Sequence, residues 1–390
     1  GQLYLDVPVD SRLAAMENPY DPQARAALNL NPETDWLWDH AFYKGHYYSY
    51  FGALPALIIF APYKFITGKD LAAYHATQIF SALFIIGLFV LLYLPAKKFF
   101  PRMSFAVYLI SAVAFSIVSI SYCTGAPALY CAASSAGLCV GVWSAYFFIR
   151  AGYCSDKNFL TEIFIGAFLG ALAFACKPTI ALANFLILPL LPSLLKDKPL
   201  RNFLVLSLPY LITCAALMTY NYLRFDNVFE FGQAYQLTIA DQHAYGKFSE
   251  RFNLSAQIDG LTENFSNALR YVIFWLPIIL LKYIDELREK NLIGVVIALI
   301  ITPILITAVQ IQWTPLLLER YRLEIYWLLS LLSFISIGFL PKKFNFVVCV
   351  LGVVTILQCL NVFFTPNDLN FAAIYPELRP TLLKILTAGF

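Results

Sequence analysis

Residues 71–102 read LAAYHATQIFSALFIIGLFVLLYLPAKKFFPR. From Leu71 to Pro95 there is no Asp, Glu, Lys or Arg, and the run is long enough to cross a hydrocarbon core of about 30 Å as a helix. Lys97, Lys98 and Arg102 follow at once. Basic residues gather on the cytoplasmic side of membrane proteins, so the segment reads as a crossing that ends inside. The rest of the chain agrees with this class. Of its 390 residues 60% are hydrophobic, 16% aromatic and only 13% charged, with mean hydropathy +0.68. A soluble domain carries about twice that charge. The chain is therefore expected to be an all-α, multi-pass membrane protein. Its net charge of +3 is too small to imply a nucleic-acid partner.

Further apolar runs lie at 103–121, 126–149, 159–176, 179–195, 202–223, 268–281, 292–311, 323–340 and 345–364, giving about ten helices in a bundle over 71–364. Between them, basic residues fall in alternate connections: Lys97, Lys98 and Arg102; Arg150 and Lys157; Lys196, Lys198 and Arg201; Lys282, Arg288 and Lys290; Lys342 and Lys343. Those connections are expected to be cytoplasmic. Residues 1–70, the loop 224–266, residues 312–322 and the tail 365–390 then share the external face. The apolar stretch 50–67 precedes a helix that must enter from outside, so a crossing there would put Lys97, Lys98 and Arg102 on the wrong side. Bounded by Pro55 and Pro62, it reads instead as an interfacial or re-entrant helix against membrane lipid.

Almost all long polar sequence thus lies on one face, and no internal repeat or broken-helix symmetry of the transporter kind is visible. This asymmetry favours an enzyme with an external site. The eight cysteines sit in or beside apolar runs without CxxC spacing and read as small apolar fillers. Gly166 and Gly170 have the spacing of a helix-packing pair. The sequons at Asn253 and Asn264 matter only in a secretory compartment.

The most unusual polar stretch is Trp38-Asp39-His40-Ala41-Phe42-Tyr43-Lys44-Gly45-His46-Tyr47-Tyr48, followed by Pro55. Its Gly45-His46-Tyr47-Tyr48 element resembles the "G-x-Y-Y" of bacterial membrane glycosyltransferases of the GT-C architecture, relatives of protein mannosyltransferases and aminoarabinose transferases. Three further segments are similar to motifs of that superfamily: Lys177-Pro178-Thr179, Tyr220 to Thr238 with Arg224, and Arg320-Tyr321 at the start of a late helix. The resemblance covers most of the chain as scattered short motifs whose order and sidedness carry it. It implies a GT-C bundle in the bacterial cytoplasmic membrane, a polyprenyl-phosphate sugar donor and a cell-envelope acceptor. In that family a segment like Gly1-Gln2-Leu3-Tyr4-Leu5-Asp6 follows a first helix and an acidic motif, so an upstream helix, with the family's catalytic carboxylate, is expected before Gly1.

Inverting transfer to a hydroxyl needs a base for the acceptor proton and cations for the departing phosphate. Asp39, Asp6 and Asp10 are the catalytic candidates in the chain. His40, His46, Tyr47, Tyr48, Lys177, Arg224, Arg320 and Tyr321 are the substrate-binding candidates, with Lys177, Arg224 and Arg320 expected to meet the Tyr47-Tyr48 loop around one phosphate. No multi-histidine metal site is expected, since the four histidines are dispersed, although His40 and His46 could join an acid around a divalent cation. Basic residues at helix ends also serve as interfacial anchors. The rival function is translocation of a lipid-linked glycan or another non-catalytic membrane role.

Overall fold

A computed structural model describes residues 2–32, 34–125, 129–154, 158–243, 251–313 and 318–364. Lys157 and the expected tail 365–390 lie outside them. The protein is 74% helix and 3% strand. It divides into two units: one of residues 1–51 with 211–253, the other of 52–210 with the chain from Leu254 onward.

The first unit is more than the expected loop. Tyr43-Lys44-Gly45-His46 turns the chain back on itself, with Lys44 at φ 48° and Gly45 at φ 77°. A two-residue turn of this kind matches the twist of paired strands. It joins β1 (Ala41–Tyr43) to β2 (His46–Tyr48) in register Ala41 to Tyr48 and Tyr43 to His46. Leu5 bridges to Tyr47 on one edge and Gln236 to Ala41 on the other. Alternation then sorts the side chains. Phe42 and Tyr47 point into a core with Leu13, Leu30, Trp36 and Leu237, while Ala41 and Tyr48 pack with Phe225, Tyr4, Tyr43, Tyr50 and Tyr235. Two short helices, α1 (Ser11–Ala14) and α2 (Pro22–Ala27), are capped by Asp10 and Asp21, whose carboxylates accept from the amides two residues on. Arg25, 2% exposed, lies 4.5 Å from the Trp36 ring and donates to the carbonyls of Pro19 and Thr238.

The second unit is the helical bundle. It starts with α3 (Ala56–Thr67), a π-helical turn run into an α-helix. Its 12 residues span about 18 Å, well short of a hydrocarbon core. Among the described residues, eight helices are long and apolar enough to cross: α4 (Ala73–Phe99), α5 (Phe105–Gly125), α6 (Leu129–Tyr153), α7 (Phe159–Cys176), α9 (Pro199–Phe225), α12 (Ile293–Trp313), α13 (Glu319–Phe339) and α14 (Asn345–Phe364). Helix α9 belongs to the bundle up to Tyr210 and to the first unit from Leu211. The stretch 179–195, expected to cross, is α8 (Pro178–Leu194), shorter than those eight and 3₁₀-helical over Leu182–Leu190. Pro189 removes a helical donor there. The tighter coil rises about 2.0 Å per residue instead of 1.5, so 17 residues reach about 30 Å.

The crossing expected at 268–281 is displaced. Helix α10 (Leu254–Ala268) occupies much of what read as loop 224–266, and after a 100° bend α11 runs from Val272 to Glu289, again 3₁₀-helical around Pro277. Asn264 of the second sequon is fully buried in α10 and donates to Thr307, which removes it as a glycan acceptor. Gly166 and Gly170 do admit close packing: a Cβ on Gly166 would meet the Phe148 ring at 3.2 Å, and one on Gly170 would meet Ser144 Oγ at 2.9 Å.

Four of the five basic connections meet at one end of the bundle. Lys290 donates to the Phe99 carbonyl (3.1 Å), Tyr153 to the Asn291 carbonyl (2.8 Å) and Asn345 to Ser104 (3.4 Å), while the Phe100 and Phe339 rings lie 5.1 Å apart. The helix ends at Thr124, Lys177 and Arg320 are at the other.

Candidate functional site

Two polar groupings stand out, one in each unit. In the bundle, α7 ends at Cys176 and α8 starts at Pro178, with Lys177 extended between them (φ −159°). The proline forces this break because the residue before it disfavours helical backbone. Lys177 thereby leaves the helix and its ammonium forms an ion pair with Glu324 of α13, whose carboxylate is wholly buried. The same ammonium lies 4.3 Å from the Tyr321 ring. Arg320, one residue back, places its guanidinium 4.1 Å from the Tyr130 ring and 5.2 Å from Tyr321, to whose hydroxyl it donates at 3.3 Å. Aromatic faces attract cations without neutralising them.

Two residues further on, Arg322 is held differently. It donates to Glu319 (2.5 Å), Glu263 (2.7 Å) and the Asn264 side-chain carbonyl (3.2 Å), and Tyr326 donates to Glu319 (3.1 Å). These contacts brace α10 against α13.

In the first unit Asp39 sits just before β1 at φ 60°, a left-handed conformation rare outside Gly, Asn and Asp. Backbone pairing holds it there: its N–H donates to the Leu237 carbonyl and Leu237 N–H donates to the His40 carbonyl, both at 2.9 Å. Asp39 Oδ1 accepts from the Tyr50 hydroxyl (3.1 Å) and from the Gln236 amide, which also donates to the Tyr50 oxygen (2.8 Å). Oδ2 takes no hydrogen bond among the described residues.

The other candidates separate by their surroundings. Asp10 caps α1 and pairs with Arg12, which holds its pKa down at about 2, a structural employment. Asp6 is exposed. Tyr47 is a core residue at 1% exposure, and burial pushes its phenol up; that ring is packed away from any open surface. Tyr48 is buried against Phe225. His46 stacks on Tyr4 at 4.2 Å. His40 Nδ1 donates to the Trp38 carbonyl at 2.7 Å. No group of three or more His, Cys, Asp or Glu suited to a metal occurs among the described residues. Arg224 is 5% exposed and donates to the Ser49 carbonyl (2.8 Å) and Asn221 (3.0 Å), tying the end of α9 to the chain after the hairpin. The expected phosphate cluster is thus brought together for Lys177, Arg320 and Tyr321 within the bundle, while Arg224 is engaged by protein partners in the first unit.

Sequence reasoning missed Glu324, Gln236 and Tyr50. Glu324 carried a signal, an acid five residues into an apolar helix, which needs a partner. No family model matches the chain, and no curated protein or solved structure is similar to it.

Proposed function

We propose that this protein is a multi-pass membrane glycosyltransferase that moves a sugar from a polyprenyl-phosphate donor to a hydroxyl of a cell-envelope acceptor on the external face of a bacterial cytoplasmic membrane. The observation that carries the reading is the Lys177–Arg320–Tyr321 grouping at one end of an apolar bundle, opposite the end where the basic connections gather. In the reaction the acceptor oxygen bonds the anomeric carbon as the bond from that carbon to the phosphate oxygen breaks. The acceptor proton passes to a base, and the electron pair leaves on the phosphate. Lys177 and Arg320 supply the cations that offset this charge, in surroundings poor enough in water to strengthen the effect. A divalent cation, if the reaction uses one, would add to the same charge. Helix α3, too short to cross and with Phe65 92% exposed, lies in the interface and contacts lipid.

The buried Lys177–Glu324 pair at a helix break favours one second reading, translocation of a lipid-linked glycan. Incubating the purified protein in liposomes with polyprenyl-phosphate mannose, glucose or aminoarabinose, and with a bacterial cell-envelope extract as acceptor, separates the two. Transfer releases free polyprenyl phosphate, and Arg320→Lys lowers the rate because lysine lacks the bidentate fork. Movement of intact donor across the bilayer without release would establish translocation instead.

A further inference from the structure

At the end of the bundle opposite Lys177 and Arg320, where the basic connections gather, a narrow crevice runs between α4, α6, α8, α12 and α13. Its space is about 550 Å³, counting the part that opens to its surroundings. Leu91 and Phe99 of α4, Ile149, Leu190, Leu292 and Ile335 are among its walls, and Tyr153 alone of the lining side chains carries a polar atom. That hydroxyl already donates to the Asn291 carbonyl at 2.8 Å. Water inside would find no partner, whereas a hydrocarbon chain suits such walls. From Phe99 back to Leu91, α4 covers about 12 Å, close to the roughly 15 Å that one leaflet contributes to a hydrocarbon core of about 30 Å. The crevice thus matches a lipid chain in length as well as in polarity.

Its mouth is built around Lys290. The stretch Lys290-Asn291-Leu292 follows α11 and closes on two walls at once: Lys290 Nζ donates to the Phe99 carbonyl (3.1 Å), Asn291 accepts from Tyr153, and Leu292 lines the crevice. Lys290 is half-buried and pairs with no carboxylate among the described residues, so two of its three ammonium donors remain for a ligand. Lys97 and Lys98, exposed and likewise without an ion pair there, stand just before Phe99. Arg150 and Arg288 at this end are paired, with Glu162 and Asp285. Glu286 and Glu289 share α11 with Asp285 but are exposed and make no ion pair with Lys290. We propose that the crevice binds one acyl chain of an anionic phospholipid whose phosphate sits on Lys290, with Lys97 and Lys98 favouring a headgroup of net negative charge. A lysine ammonium binds phosphate as a point charge, so the chain, not the headgroup, fixes where the lipid lies. This site does not depend on the transferase reading.

The test is direct binding. The full-length protein, delipidated in detergent, is titrated with dioleoylphosphatidylglycerol and dioleoylphosphatidylcholine, which share their chains, and with glycerol 3-phosphate, which has none. Native mass spectrometry reads bound lipid, and the thermal unfolding midpoint reads its effect. Phosphatidylglycerol should bind about tenfold more tightly than phosphatidylcholine, and glycerol 3-phosphate should not bind. Lys290→Gln should remove most of that preference. Val295→Phe, which puts a ring into the crevice, should weaken both lipids, while Arg288→Gln, whose partner is Asp285, should change neither. Chain length repeats the Val295→Phe test on the unaltered protein, since dihexanoylphosphatidylglycerol should bind far more weakly than the dioleoyl form. Equal affinity for the two dioleoyl lipids, a preference that survives Lys290→Gln, binding of glycerol 3-phosphate as tight as that of the lipid, or equal binding of the short and long chains each overturns the proposal.

Discussion

Glu324 in the bundle and Asp39 in the small aromatic unit are both carboxylates tied to neighbours, but the ties differ in kind. Glu324 is wholly buried and faced by an ammonium. Asp39 is half-buried and oriented by a phenol and an amide. A buried ion pair is a mutual obligation, because either partner alone is an uncompensated charge in a poorly polarisable medium. A carboxylate oriented by neutral donors has no such dependence. The comparison separates a charge locked in a buried ion pair, which fixes the position of Lys177, from one held by neutral hydrogen bonds.

The comparison breaks most visibly at Lys177. Lys177→Met strands the Glu324 carboxylate and should cost about 3–5 kcal/mol, read as a fall in the thermal unfolding midpoint in detergent. Lys177→Met combined with Glu324→Met should recover most of that loss, because no charge is left buried. Asp39→Asn, by contrast, should alter stability by no more than about 0.5 kcal/mol. Equal costs at the two sites would erase the distinction.

Gly52 sharpens the account at the same helix break. A Cβ there would collide with the backbone carbonyls of Ala175 and Cys176, the two residues before Lys177. Gly52→Ala should cost about 1–3 kcal/mol through backbone displacement and lower donor turnover with it. A smaller loss is expected from Tyr130→Ala, which removes one aromatic face from Arg320, about 0.5–2 kcal/mol in an unfolding assay.

The smallest effect concerns Asp10. Its pKa is depressed, chiefly by the Arg12 side-chain hydrogen bond, from an ordinary 3.8 to about 2. A depressed carboxylate stabilises the fold above its unfolded pKa, and that contribution fades as pH falls through this interval. Amide protection at Arg12 and Leu13, taken relative to the intrinsic exchange rate at each pH, should therefore fall between pH 4 and pH 2 in the wild type and show no such step in Asp10→Asn.

Much of the bundle was legible because crossing the bilayer demands long uncharged runs, and Leu71–Pro95 shows that demand plainly. Residues 178–194 and 272–289 were harder to bound, since Pro189 and Pro277 turn part of each into 3₁₀-helix and change the length that a given number of residues spans. The hairpin at 41–48 was also readable: Lys44-Gly45 between aromatic runs is a two-residue turn signal, but the membrane-like composition drew attention to helices. What the sequence could not show is pairing at a distance. Lys177 meets Glu324 across 147 positions and Asp39 meets Gln236 across 197. Neither carries a local mark beyond an acid in an apolar run and an aspartate beside tryptophan.

The central claim is that Lys177 and Arg320 hold a lipid phosphate. Native mass spectrometry of the nanodisc-borne protein with farnesyl phosphate and with farnesol tests it most directly. The account predicts that farnesyl phosphate binds, that farnesol does not, and that Lys177→Gln with Arg320→Gln abolishes the difference. Equal retention of the phosphate and the alcohol by the wild type would contradict it.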